Sequence, residues 1–302
     1  MTATHRTARA TRKIEKTTAN ADASTDATYA TVTAGLHTHL VALLQTPLPT
    51  SEDDLLGALR GTPALRPAVD RGIASGLRAW LEDGVFAALG APSAGSVRLS
   101  TSSIAGSAPR GGATALLRGS LVAQLVRLHV AGVEPSDPFD DAACALEASG
   151  RDDDLVTMLC DLDPDDHARL HAEVLAHASV LAERFPRVSP RWMPRCGVRQ
   201  AIPLAGGGVQ LRGIVDVALG ASGGERANVC LIEVTTSVLE ARHERVLAYL
   251  ALLETLRTGE TPLRVAAMST ADGAFVVHDV TPTLLAAAVG DVLQAVSECG
   301  GR

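Results

Sequence analysis

Gly213-Ile-Val-Asp216 and Ile232-Glu233-Val234-Thr235-Thr236 are two strand-like segments whose carboxylates stand seventeen residues apart. Along a strand, side chains alternate faces, so Glu233 and Thr235 share one face while Val234 points to the other. If the two segments pair antiparallel through the 220–228 loop, Asp216 and Glu233 come close enough to share a hard cation. The backbone carbonyl of Val234 is available as a third oxygen ligand. Mg²⁺, or Mn²⁺ in its place, suits such a set, because it needs only one or two carboxylates and keeps several waters. A cation held there acidifies a water and neutralises charge on a phosphate, which is the chemistry of phosphodiester hydrolysis. The plainer reading is that Asp216 and Glu233 are polar strand ends. A carboxylate closing an otherwise apolar strand needs a partner, however, and this favours the shared site.

The position where such a site carries a lysine is Thr235. Lysine occurs only at Lys13 and Lys16 in the whole chain. Arg212, Arg242 and Arg245 are the nearby cations that can supply charge. An arginine does not deprotonate to act as a base, so it replaces only the electrostatic part of a lysine's role.

The elements around these residues follow from hydrophobic period. Leu77–Phe86 and Leu116–Val130 space large apolar side chains at three and four, as helices do, and Pro164 opens a long helix to about Arg184 with Asp165 and Asp166 in its first turn. From Val198 the period becomes two: 198–204, a Gly206–Gly208 turn, 209–219 and 229–235 read as strands. An amphipathic helix over 239–256 follows, then strands 263–269 and 275–279 joined across Asp272-Gly273, then a helix over 284–296. The expectation is an α/β fold: a mixed β-sheet flanked by helices, with a mostly helical region before it. Residues 1–30 read as a disordered basic tail, 31–190 as a helical region packing on the core, and 191–302 as the α/β core.

The net charge of −7 hides a split. The first twenty residues carry five bases and one acid, so the remainder carries −11. A body that acidic does not bind nucleic acid through its overall field; any contact needs a local basic patch. Arg184, Arg187, Arg191, Arg195 and Arg199, with Trp192 among them, read equally as such a strip or as a connector paired to the acidic body. No apolar run approaches the ~20 residues of a membrane span. Five cysteines, widely spaced and never as C-x-x-C, argue against a disulfide framework or zinc ribbon and for a reducing cytoplasm. His167 and His171 have zinc-compatible spacing, but no third ligand sits nearby, and they read as a solvated helix face.

The two carboxylate segments, with Arg242-His243-Glu244-Arg245-Val-Leu-Ala-Tyr249 after them, resemble the PD-(D/E)XK nuclease superfamily in its RecB-like branch. Trp192-Met-Pro194-Arg195, Pro203-Leu-Ala-Gly-Gly and Pro262-Leu-Arg264-Val-Ala are similar to predicted nucleases common in high-GC bacteria. The resemblance spans roughly 65–280. It implies a nuclease-like core acting on DNA, with Asp216 and Glu233 as catalytic carboxylates, Asp216, Glu233 and the Val234 carbonyl as metal ligands, and Thr235 at the motif lysine. Arg195, Arg199, Arg212, Arg242 and Arg245 are the candidate nucleic-acid contacts. The chain departs from the pattern at Thr235, at Ala123 where an upstream helix carries a histidine, and at Arg245 where Gln-x-x-x-Tyr is usual. After Trp-x-Pro-Arg, Cys196, Gly197 and Val198 stand where a glutamate is expected. The expectation is weak or lost Mg²⁺-dependent DNA hydrolysis; the alternative is a silent nucleic-acid-binding or scaffold subunit, its protein partner unknown.

Overall fold

The computed structural model describes residues 71–89, 97–106, 112–150, 153–185, 187–221 and 229–300. The expected basic tail over 1–30 and the start of the helical region up to 70 lie outside the described residues. The elements run α1 (Arg71–Leu89), β1 (Val97–Leu99), α2 (Thr101–Ala105), α3 (Ala113–Val130), α4 (Pro138–Ala148), α5 (Asp153–Cys160) and α6 (Pro164–Arg184). They continue with β2 (Arg195–Leu204), β3 (Val209–Leu219), β4 (Cys230–Thr235), α7 (Ala241–Thr258), β5 (Arg264–Ser269), β6 (Phe275–Asp279) and α8 (Pro282–Gly300). Proline at the first helical position and an aspartate N-cap start both α4 and α6: Asp137 accepts from Phe139 N–H and Asp163 from Asp166 N–H.

The strands form one mixed six-stranded sheet in the order β1-β3-β4-β5-β6, with β2 pairing β3. β2, β3 and β4 make an antiparallel meander, α7 crosses over, β5 returns parallel to β4, and β6 closes antiparallel. β2 covers nearly the whole length of one edge of β3. The other edge is therefore shared: β1 pairs parallel with Val209–Leu211, and β4 pairs with Val217–Leu219. Between them β3 is left without a partner strand over 212–216. The backbone there still needs hydrogen bonds. The hydroxyl of Tyr249, from α7, accepts from Arg212 N–H at 3.1 Å and lies 3.1 Å from Arg212 O and 3.3 Å from Leu99 O.

Two apolar cores lie on the two faces of the sheet. One joins α1, α2, α7 and α8 to Leu204, Leu211, Val215, Leu231 and Val265. The other joins α3, α4 and α6 to Val217, Leu219, Ile232, Ala266 and Met268. Each core combines helices from before Pro190 with strands from after it. α7 is not the amphipathic surface helix that its sequence suggests: Val246 to Leu256 is buried without a break. Its one buried acid, Glu254, is held by Gln200 at 2.8 Å and by Arg257 at 2.7 and 2.9 Å. Gly213 lets α7 lie this close to β3, since a Cβ there would meet Leu253 at 2.6 Å. β1 was not expected either. It is three residues long, in a stretch that reads as a Gly/Ser/Pro break.

Candidate active site

The β3–β4 register, Leu219↔Cys230 to Val217↔Ile232, runs on to set Asp216 opposite Glu233 just past the last paired residues. The two-residue period of β3 breaks at this point. Val215 belongs to one core and Val217 to the other, so the strand turns sharply at Asp216. Asp216 Oδ2 accepts the Val234 N–H at 2.8 Å, in place of the β3 carbonyl that a continued ladder would offer. The N–H and C=O of one strand residue face the same neighbour, so the Val234 carbonyl also faces the Asp216 side. Thr235 O faces the opposite way, accepting from Thr270 N–H at 2.8 Å.

Both carboxylates hold their protons more tightly than usual. Burial lifts Asp216 from 3.8 to about 6, against the Val234 N–H and the Arg127 charge, which lower it. Burial, then the neighbouring Asp216 charge, raises Glu233 well above 4.5. Glu233 is half-buried as a residue, yet its Oε2 is shielded from solvent and has no hydrogen-bond partner. Two carboxyl groups that repel each other, one with an orphaned oxygen, call for a proton or a cation between them.

Arg127, on α3, is the cation whose charge reaches Asp216. Its guanidinium lies over Gly197, where a Cβ would come within 2.7 Å of Nη2, and its Nη1 donates to Gln124 Oε1 at 3.1 Å. Gly197 has φ +60°, the left-handed region that favours glycine. It stands opposite Asp216 in the β2–β3 register, so the glycine found where a glutamate was expected makes room for an arginine. Gly119, Ala123 and Arg127 recur every four residues on one stripe of α3. Gly119 lines the cleft with Glu233, and Arg127 faces Asp216. Ala123 lies between them, so the expected histidine position does face the site. Arg127 itself carries no local sequence signal beyond that helical spacing.

A cleft of about 710 Å³ opens at the end of β4, lined by Ser103, Gly119, Glu233, Thr235, Arg242 and His243 among others. Thr235 stands on the Glu233 face, as alternation predicts, but its hydroxyl is engaged locally: Oγ1 lies 3.0 Å from Ser237 Oγ and accepts Ser237 N–H at 3.2 Å. Arg242 Nη2 donates to the same Ser237 hydroxyl at 3.5 Å, and its Nε pairs with Glu240 at 3.4 Å. A guanidinium therefore stands one hydroxyl away from the motif-lysine position.

The other expected arginines do not gather here. Arg245 pairs with Asp291 on α8 at 3.1 Å, and Arg195 donates to Gly220 O at 3.2 Å. Arg199 and Arg212 are exposed on the β2–β3 pair, near each other in register but outside the cleft lining. The basic strip is dispersed: Arg187 pairs with Glu134, and Trp192 packs against the second core. Tyr249 is a buried structural bridge whose ionisation burial pushes up. His167 and His171 both lie against Phe139, with centroids at 5.1 and 4.9 Å, so they are packed side chains and not only a solvated face. Among the described residues, no group of three or more His, Cys, Asp or Glu side chains is arranged to hold a metal ion.

No family model matches the chain. No curated protein matches it. A solved structure titled "Crystal structure of SSO0001" is similar over 71% of this chain and 84% of that one, at 12% identity and a TM-score of 0.27, a likeness too slight to carry an argument.

Proposed function

We propose that this chain is a nuclease-like protein of the PD-(D/E)XK type whose Asp216/Glu233 pair takes a divalent cation and engages the phosphodiester backbone of DNA, with hydrolysis weak or lost. One observation carries the reading: two buried carboxylates opposed at the splayed end of β3 and β4, with Glu233 Oε2 unpartnered. Asp216, Glu233 and the Val234 carbonyl would hold Mg²⁺ or Mn²⁺. When bound, such an ion supplies Lewis acidity to the phosphate and lowers the pKa of a water. The chain's own residues do the rest. Asp216 is fixed by Val234 N–H, Arg127 neutralises part of the pair's charge, and Arg242 presents a guanidinium beside the cleft.

The weakness follows from Thr235. A hydroxyl tied to Ser237 neither carries charge nor reaches a phosphate as an ammonium does. That same tie favours the second reading, a silent nucleic-acid-binding or scaffold subunit. Among the described residues no helix is long and apolar enough to cross a membrane. A cytoplasmic setting is part of this proposal, resting on five cysteines that are all unpaired.

The test is cleavage of single- and double-stranded DNA and RNA in Mg²⁺ or Mn²⁺. Asp216→Ala and Glu233→Ala should each abolish whatever activity the wild type has, and Thr235→Lys should raise it by ~10–100-fold through one added charge contact. Activity unchanged in both alanine variants would remove the site. A wild type and a Thr235→Lys variant that are equally inert and bind no cation leave the silent reading.

A further inference from the structure

The start of α7 lies in the same cleft as Glu233, and one of its side chains is built in an unusual way. His243 is 8% exposed and lines the cleft. Its Nδ1 receives the Glu240 N–H at 2.9 Å. A backbone N–H can only donate, so Nδ1 is the acceptor and the imidazole proton sits on Nε2. Nε2 has no hydrogen-bond partner among the described residues, although the ring is more than nine-tenths buried. A buried ring whose one donor is unpartnered is costly unless something else in the cleft accepts from it. Arg242, the residue before it, lines the same cleft with a half-buried guanidinium. The first-turn N–H groups of this eighteen-residue helix have no intrahelical acceptor, and its N-terminus carries partial positive charge. The Ser237 hydroxyl stands beside Arg242 at 3.5 Å.

We propose that the beginning of α7 is a phosphate-holding subsite, in which His243 Nε2–H donates to a phosphate oxygen and Arg242 supplies the charge. A helix N-terminus, a fixed neutral donor and a guanidinium together make an anion site. A carboxylate pair lies on the other wall of the cleft, so a phosphate held at α7 is presented to Asp216 and Glu233. The subsite takes over the phosphate-binding half of what Thr235 cannot do. Its place in a reaction rests on the nuclease-like reading, but its ability to hold phosphate does not.

The substitutions separate the two nitrogens of the ring. His243→Asn keeps an acceptor where Nδ1 stands and loses the reach of Nε2. His243→Gln keeps a donor where Nε2 stands and loses the cap. Inorganic phosphate is titrated by calorimetry into the full chain, with Arg169→Ala as a distant control. The expected result is binding weakened about tenfold by His243→Asn and by Arg242→Ala, held within about threefold by His243→Gln, and unchanged in the control. The imidazole Nε2–H resonance of wild-type His243 should also shift on adding phosphate, a reading that needs no substitution. No phosphate binding by the wild type, equal weakening in the control, or a His243 resonance that does not move would overturn the proposal. Phosphate binding through His243 in a protein that takes no divalent cation would leave the subsite standing and remove the nuclease-like reading. Cation binding at Asp216 and Glu233 with phosphate indifferent to His243 would do the reverse.

Discussion

Asp216 and Glu233 set a pH dependence whose sign is fixed by the direction of their shifts. In the unfolded chain Asp216 loses its proton near 3.8, whereas in the fold it keeps it up to about 6. The folded state therefore binds more protons across that window, and stability is greatest at its acid end. It falls as pH rises from about 4 through about 6, and Glu233, raised well above 4.5, continues the fall beyond that. Asp216→Asn keeps an oxygen to accept Val234 N–H and removes one of the two repelling charges. Without divalent cation at pH 8 it should melt ~2–4 °C above the wild type, a gain on the order of 1 kcal/mol, and the difference should vanish near pH 4. A variant that melts below the wild type at pH 8 would show that the Asp216 charge stabilises the fold. The carboxylates and the face shared by Glu233 and Thr235 were legible in the sequence, because strand alternation fixes them. Arg127 was not, since its role depends on where α3 crosses the sheet, ninety residues before Asp216 in the chain.

At the scale of elements, the site exists because β3 is longer than either strand on its second edge. β1 and β4 leave a gap, Tyr249 bridges its upper part, and Asp216 caps its lower part through Val234. Hydrophobic period located β3, β4, α6 and α7 closely, and the Asp272-Gly273 turn joins β5 to β6 as its dipeptide predicts. It missed β1, because three residues are too few to show a period. It also misread α7, whose small and large apolar residues alternate with enough polar ones to look amphipathic, while Gln200 and Arg257 satisfy the acid on its buried side. β2 contributes Gly197, and its role is testable. Gly197→Ala strains a left-handed backbone and pushes Arg127 away from Asp216. It should lower stability by ~1–3 kcal/mol and raise the pH at which Asp216 ionises, because one of the two influences holding that value down is displaced. An NMR titration in which Asp216 ionises at an unchanged or lower pH would separate Arg127 from the site.

For the molecule as a whole, a body of net charge −11 beyond its first twenty residues must approach DNA through a small basic area, and the described arginines are mostly paired within the protein. Arg242 lines the cleft, and Arg199 with Arg212 forms a separate exposed pair, so affinity for DNA should be modest and strongly weakened by salt. The cysteines report on the same packing. Burial pushes Cys196 up to about 11 and Cys230 up to about 12, while Cys144, Cys160 and Cys299 are exposed. Iodoacetamide at pH 8 should modify those three in the native protein and spare the other two until denaturant is added. Native labelling of Cys230 would contradict the β4–β5 packing. The central claim, that Asp216 and Glu233 form a cation site, is tested most directly by titrating Mn²⁺ into the metal-free protein at pH 7.5 and again into Glu233→Gln. One site per chain is predicted, released protons should accompany binding, and the glutamine variant should lose ~10–100-fold in affinity. An absence of binding, or equal binding in both proteins, would contradict it.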